Sequence, residues 1–103
     1  MYKLNFYVPA EAKESVKSAL FAIGAGVFKN YEHCSWETLG HGQFRPVGNA
    51  NPHVGRLNEL EVLEEYKVEL ICDDHLIQEA VRVLKEAHPY EEVAYEVFKM
   101  ESF

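Results

Sequence analysis

Hydrophobic and polar residues alternate in three segments of the chain, and this two-residue period predicts three β-strands. The segments are residues 2–8 (YKLNFYV), 61–72 (EVLEEYKVELIC) and 93–99 (VAYEVFK). In the first segment one face is apolar and the opposite face is mixed; the apolar face carries Tyr2, Leu4, Phe6 and Val8. In the second segment the apolar face carries Val62, Tyr66, Val68, Leu70 and Cys72. Each strand is therefore expected to bury one face only.

Two other segments have apolar residues at helical spacing, which predicts amphipathic helices. The first begins at Glu11 and carries Ala12, Val16, Ala19, Leu20 and Ile23; the second carries Leu76, Ile77, Ala80, Val81 and Leu84. Gly24 and Gly26 are typical residues to end the first helix. Asp73 or Asp74 is expected to cap the second helix. That helix must end near Ala87, because Pro89 disfavours a helical conformation at the residue before it.

The region between the first helix and residue 61 is rich in β-forming residues and then in glycine, proline and asparagine. It predicts two strands at about 27–38 and 43–46, joined by a tight turn at Gly40–Gly42. Residues 46–58 (PVGNANPHVGRLN) are predicted to form a loop. A loop of this length in a small domain is usually functional or used in contacts.

This order of elements predicts an α+β fold, a ferredoxin-like βαβ-βαβ sandwich over residues 1–103 as a single domain, with an antiparallel sheet and an extended hairpin. Both helices would cover one face of the sheet. The other face would be open and would carry Tyr7, Tyr31, His33, Lys67 and Glu69. A second subunit covering that face would add buried area to a small core.

Composition narrows the function classes. The 103 residues carry a formal charge of −7, which argues against a nucleic-acid partner. No apolar run is long enough to span a bilayer, and the N-terminus lacks the pattern of a signal peptide, so we expect no membrane association and a cytoplasmic location. Cys34 and Cys72 are then expected to be reduced thiols rather than a disulfide.

The segment NYEHCSW, residues 30–36, holds a histidine next to a cysteine. Adjacent side chains of a regular strand point to opposite faces, so His33 and Cys34 could bind one ion only if a bulge intervened. Cys34 is predicted to pack in the core beside Trp36, and Cys72 is also predicted to be in the core. His33 is left with two interpretations, a structural hydrogen bond or a ligand.

Two further positions allow alternative interpretations. His88 would be stabilised as a histidinium by the dipole of the preceding helix if it is exposed. Alternatively, His88 and the carboxylates that follow Tyr90 could bind zinc or another divalent ion. Arg45 could grip an anion or a carboxylate ligand, or it could pair with one of the many glutamates.

Three separated motifs resemble those of one known family: GAGVFKNYEHCSW, GQFRPVGNANPHVG and AHPYEEVAYEVF. Together they are similar to the YqfO domain, which also occurs alone at about this length. In larger proteins it is inserted in a dinuclear-metal scaffold once described as a type-2 GTP cyclohydrolase. The HPYE motif at His88–Glu91 is also similar to that of CutA proteins, which share this fold with PII proteins; both are typically trimers. The scaffold's metal ligands flank the insertion, so the resemblance implies no dinuclear site here.

The leading hypothesis is a non-enzymatic PII/CutA-like oligomer, a trimer with a dimer as the alternative, that binds a small ligand, an ion or a protein partner where subunits meet. The expected ligand-binding residues are Tyr31, His33, Arg45, Asn51, His88, Tyr90 and Glu91. The first alternative is a divalent metal-binding protein that holds Zn²⁺ or Cu²⁺ with His33, His88 and Glu92. The second alternative is a hydrolase related to the parent scaffold, for which the sequence offers no catalytic residues.

Overall fold

The computed structural model describes residues 1–103 as two helices packed on one face of a four-stranded sheet. The elements follow one another as β1 (Tyr2–Val8), α1 (Ala10–Ala22), β2 (Trp36–Phe44), β3 (Glu61–Cys72), α2 (Ile77–Ala87) and β4 (Tyr95–Lys99). The strand order across the sheet is β2-β3-β1-β4, and every pair is antiparallel. The predicted ferredoxin-like sandwich is confirmed. No helix is long and apolar enough to cross a membrane.

The core lies between the sheet and the helices, where the sequence pattern predicts it. Leu4, Phe6 and Val8 of β1 are fully buried against Val16 and Leu20 of α1. The apolar end of β3, including Cys72, two residues of α2, and Ala25 in the connection after α1 complete it. Burial raises the pKa of the Cys72 thiol, so this cysteine stays protonated in the core.

The opposite face of the sheet is open. Directly paired residues of an antiparallel ladder share a face, so the register places Thr38, Gly40 and Gly42 of β2 on this face with Lys67 and other odd-numbered residues of β3. The predicted membership of Tyr7, Lys67 and Glu69 is confirmed by the pairing of Tyr7 with Lys67 and of Glu69 with Asn5. The prediction was wrong for Tyr31 and His33, which lie outside every strand.

The connection from α1 to β2 is irregular, although its composition favours a strand. Gly26, Lys29 and His33 all have positive φ, which a β-ladder does not accommodate. Phe28 and Tyr31 exchange two backbone hydrogen bonds, and the Cys34 amide donates to the Gly26 carbonyl at 2.8 Å. A Cβ on Gly26 would lie 2.9 Å from the Cys34 carbonyl oxygen, so only glycine fits this closed loop.

The predicted tight turn at Gly40–Gly42 was wrong as well. Both glycines lie inside β2, where Gly40 pairs with Glu65 and Gly42 with Leu63, so the ladder continues through them. The loop that joins β2 to β3 spans residues 45–60, and it contains the predicted loop 46–58. β2 and β3 together form the extended hairpin, in which all nine residues of β2 pair with β3.

Helix α2 ends at Ala87, as Pro89 requires, and His88 takes the extended conformation. Its beginning differs from the prediction. The N-cap residue is Leu76, and no side chain caps the helix. Asp74 pairs instead with the N-terminal amino group of Met1, just before the start of β1, and this pair lowers the pKa of the Asp74 carboxyl.

Candidate functional site

A pocket lies at the end of the open face, where the loop after β2 meets the turn after α2. The backbone amide of Asn51 donates a hydrogen bond of 2.8 Å to Oε2 of Glu91, and this bond links the loop to the turn. The space that they enclose with the sheet is about 610 Å³. Small-molecule sites commonly have this size.

The walls of the pocket are apolar and aromatic, and its charges are mostly acidic. Apolar and aromatic walls come from Tyr7, Phe44, Pro46, Val47, Ala50, Pro52, Val54, Tyr90 and Ala94. The charged lining residues are three carboxylates, Glu65, Glu91 and Glu92, and one guanidinium, Arg45. The pocket therefore carries an excess of negative charge.

The contacts of Arg45 exclude one of its two predicted roles, which is pairing with a glutamate. Its Nε donates to the backbone carbonyl of Asn58 at 3.0 Å, and it forms no ion pair with a carboxylate. Asn58 has a φ of 64°, which asparagine tolerates better than most residues. Arg45 is thus held at the pocket by the loop itself and is not neutralised by a glutamate.

His88 is buried beside the pocket and holds the turn in place. Its Nε2 lies 2.7 Å from the Tyr7 carbonyl oxygen, and its Nδ1 accepts a hydrogen bond of 3.1 Å from the Tyr90 amide. Nε2 must therefore carry the proton, since a carbonyl can only accept. The side chain is 5% exposed, and burial lowers the pKa of His88 below the usual value. The interpretation of His88 as an exposed histidinium was wrong, because the ring is buried and neutral.

Tyr90 packs against His88 and lines the pocket. Its hydroxyl is buried and has no hydrogen-bond partner, and its ring packs edge-on against His88 at 4.8 Å between centroids. Burial, and after it the negative charge of Glu65, raises the pKa of Tyr90 well above the usual range, so the hydroxyl keeps its proton. The protonated Tyr90 hydroxyl thus lies close to the Glu65 carboxylate, which is available to it as an acceptor.

Glu65 reaches this position because residue 42 has no side chain. A Cβ built on Gly42 would lie 1.9 Å from Oε1 of Glu65, so the carboxylate occupies the space that any other residue would fill. A Cβ built on Gly40, two residues earlier on the same face, would meet nothing within 4 Å. Gly42 therefore has a specific role, which is to let Glu65 lie across β2.

The segment at residues 30–36 lies apart from this pocket. His33 stacks on Phe21 of α1, with ring centroids 4.8 Å apart and planes inclined by 15°. Tyr31 is 72% exposed. The predicted packing of Cys34 beside Trp36 in the core was wrong, because Cys34 is only partly buried and Trp36 is 70% exposed. With positive φ at His33, the strand alternation on which that prediction depended does not exist.

The structure thus brings together part of the predicted ligand set. Arg45, Tyr90, Glu91 and Glu92 line the pocket, Asn51 links its two walls, and His88 supports it from below. Tyr31 and His33 do not take part. No group of three or more His, Cys, Asp or Glu side chains is placed to hold a metal ion, so His33, His88 and Glu92 do not form one site within a chain.

Sequence reasoning missed the residues of the floor, Glu65 and Gly42, as well as His53, which also lines the pocket. Glu65 lies on the open face of β3, on the same side of the strand as Lys67. The signal that could have identified it was the pair of glycines in β2, which removes side chains from the facing strand.

Comparison with known proteins gives a consistent picture, although no family model matches the sequence. The chain is 37% identical over 99 residues to the GTP cyclohydrolase 1 type 2 homolog of Bacillus subtilis, covering 96% of this chain and 26% of that protein. A Bacillus cereus protein related to NIF3 superposes with a TM-score of 0.82 at 35% identity, covering 98% of this chain and 26% of that one. The chain therefore spans about a quarter of the length of these relatives.

The fold also matches that of smaller proteins. The CutA protein of Archaeoglobus fulgidus superposes with a TM-score of 0.71 over 100% of this chain and 87% of that one, at 14% identity. This likeness concerns the fold alone. The resemblance of the three motifs is confirmed: over almost its whole length the chain is similar to a segment that makes up about a quarter of the GTP cyclohydrolase 1 type 2 homologs.

Proposed function

We propose that the protein is a non-enzymatic, oligomeric module that binds a small organic ligand in the pocket between the loop at residues 45–60 and the turn at residues 88–92. The observation that carries this proposal is the pocket of about 610 Å³, whose two walls are tied by the hydrogen bond from Asn51 to Glu91. Its size, aromatic walls and few charged groups are typical of binding sites for small molecules.

The chemistry of the lining supports binding rather than catalysis. No serine, threonine, cysteine, lysine or aspartate lines the pocket. His53, which lines the pocket, therefore has no such nucleophile beside it to activate, and His41 pairs with Glu64 on the other face of the sheet. Of the two cysteines, Cys72 is buried in the core and Cys34 lies in the connection after α1. Hydrolysis of GTP remains the alternative suggested by the relatives' name, and GTP turnover by the purified protein would support it.

The open face supports self-association. It carries large apolar side chains that a monomer would leave in water, since Trp36 of β2 is 70% exposed and Phe98 of β4 is 56% exposed. A second copy covering this face would bury both. Light scattering at tens of micromolar tests this part directly: a trimer or dimer is expected, and a monomer would remove the proposed subunit interface.

The binding site is tested by screening a small-fragment library by NMR against the wild-type protein and a variant with a filled pocket. Ala50→Trp places a large side chain in the pocket, whereas the matched control Ala22→Trp places it on the exposed end of α1. Fragments are expected to shift the signals of the pocket residues in the wild type and in Ala22→Trp, and not in Ala50→Trp. No fragment binding at the pocket, or binding unchanged in Ala50→Trp, would reject the proposal.

A further inference from the structure

The charged groups of the pocket restrict what kind of ligand it can take. Three carboxylates face one guanidinium, and Arg45 already uses its Nε on the loop. A ligand with several negative charges, such as a nucleoside triphosphate, would approach like charges, and these would have to lose water on binding. The pocket is therefore built for a ligand that carries positive charge.

A metal ion does not satisfy this requirement. The carboxylates are not placed to converge on one ion, since no group of three metal-ligating side chains occurs in the chain. A bare ion would also leave most of a 610 Å³ pocket and its apolar walls unused. An organic cation has both parts that the pocket can contact, a charged head and an apolar body.

Glu65 is the carboxylate best placed to hold that head. Glu91 and Glu92 are exposed at the rim, whereas Glu65 is half-buried on the floor of the pocket, in the space left by Gly42. Tyr7, Phe44 and Tyr90 line the same pocket. Aromatic faces attract ammonium groups, and a carboxylate gives them a charge-assisted hydrogen bond.

We propose that the pocket selects small organic cations, with an ammonium group bound at Glu65 and an apolar or aromatic body held between Tyr7, Phe44 and Tyr90. This inference rests on the proposed function, which supplies the site but leaves the class of ligand open.

The experiment is an NMR titration with two probes of similar body and opposite charge, tyramine and 4-hydroxyphenylacetate, followed by GTP. Tyramine is expected to bind at least about tenfold more tightly than either anion at low salt, because the attraction to the carboxylates changes sign with the charge of the probe. A higher salt concentration should reduce this ratio.

Two pairs of variants test whether tyramine binding depends on the position of the Glu65 carboxylate or only on the net negative charge of the protein. Glu65→Gln is expected to weaken tyramine binding by roughly tenfold, whereas Glu64→Gln, on the other face of the same strand, should leave it within about twofold. Gly42→Ala displaces the Glu65 carboxylate and keeps the net charge, so it should weaken binding similarly. Its control, Gly40→Ala, adds a methyl group in open space. The melting temperature of each variant verifies that it is folded.

The outcomes distinguish this inference from the proposal on which it rests. Tighter binding of 4-hydroxyphenylacetate or GTP in the pocket would overturn the cation preference and leave a ligand-binding module in place. Tyramine affinity unchanged in both Glu65→Gln and Gly42→Ala would likewise overturn the role of Glu65. If no probe of either charge shifts the pocket residues, the inference and the proposed binding site both fail.

Discussion

His88 allows the most quantitative test of this structure, because one buried ring satisfies two backbone groups. In a strand, the N–H and C=O of one residue point to the same side. The Tyr7 amide donates to Ala94, so its carbonyl points toward the same edge of β1, one residue beyond the last pair with β4 at Phe6 and Tyr95. The His88 ring thus takes the place of a strand partner for Tyr7, and it also accepts the Tyr90 amide.

Replacing His88 with alanine removes both interactions. A buried backbone group left without a partner costs about 1–3 kcal/mol, so two such groups give an expected loss of roughly 2–6 kcal/mol in the free energy of unfolding. This is a large share of the about 5–15 kcal/mol typical of a domain of this size. Glutamine can keep a donor near the position of Nε2, and asparagine an acceptor near that of Nδ1, so each of these variants should lose about half as much.

The pH dependence of the free energy of unfolding tests independently whether His88 is neutral in the folded protein. Burial lowers the pKa of His88 in the folded protein from its ordinary 6.5, so below pH 6.5 the unfolded chain binds more protons than the folded one. The stability that depends on a neutral His88 is therefore fully present above pH 6.5, and it is lost as the pH falls below that value. A ring that stayed neutral in the folded protein would cost at most about 2 kcal/mol at pH 5.

Urea unfolding of the wild type and His88→Gln at pH 7.5, 6.5, 5.5 and 5.0 measures both effects. The free energy of unfolding of the wild type should fall between pH 6.5 and 5.0. In His88→Gln the fall over the same range should be smaller, because glutamine does not titrate there. A loss below 1 kcal/mol in His88→Ala, or a slope that is the same with and without His88, would refute the assignment of a buried neutral ring.

Three further predictions follow from separate parts of the structure. Leu84→Ala should cost about 2–5 kcal/mol in urea unfolding, because Leu84 is fully buried, while Leu39→Ala, at a site 51% exposed, should stay within about 0.5 kcal/mol. Glu37→Gln removes the ion pairs to Lys13 and Lys17, which lower the pKa of Glu37. The free energy of unfolding should fall by about 1 kcal/mol or less near pH 7, and by less in high salt. The substitution should have no effect well below pH 4.5, where the wild-type carboxyl is protonated. Calorimetry with Zn²⁺ should show no binding that depends on His88, since both ring nitrogens are occupied; binding lost in His88→Gln would contradict this.

The sequence predicts the fold well where periodicity and burial act together. β1 and β3 have the predicted bounds, because each buries one alternating face against the helices. The end of α2 was also predictable, because Pro89 acts locally on His88. Strand β4 begins two residues later than expected, at Tyr95.

Prediction failed between residues 27 and 44, because residues 27–35 form an irregular connection where composition favours a strand, and the expected turn lies inside β2. Lys29 and His33 adopt positive φ, which no residue-type preference indicates for lysine. Gly40 and Gly42 look like a turn, but pairing with the long strand β3 keeps them extended.

Two parts of the candidate site, around Arg45 and around Tyr90, were predictable, because each is a continuous segment of sequence. One is a long loop and the other a turn constrained by proline, and both are recognisable from the sequence. The floor of the site was not predictable, since the contact of Gly42 with Glu65 depends on a register that only the folded sheet defines.

Because Gly42 and Glu65 share one volume, these two positions are not free to evolve independently. A homologue that acquires a side chain at the first position must shorten or redirect the residue at the second, whereas the position of Gly40 can drift without such a partner. Among related sequences, substitutions at the two positions should therefore occur together. Lineages that keep the glycine and the glutamate would be those that keep the same floor to the pocket.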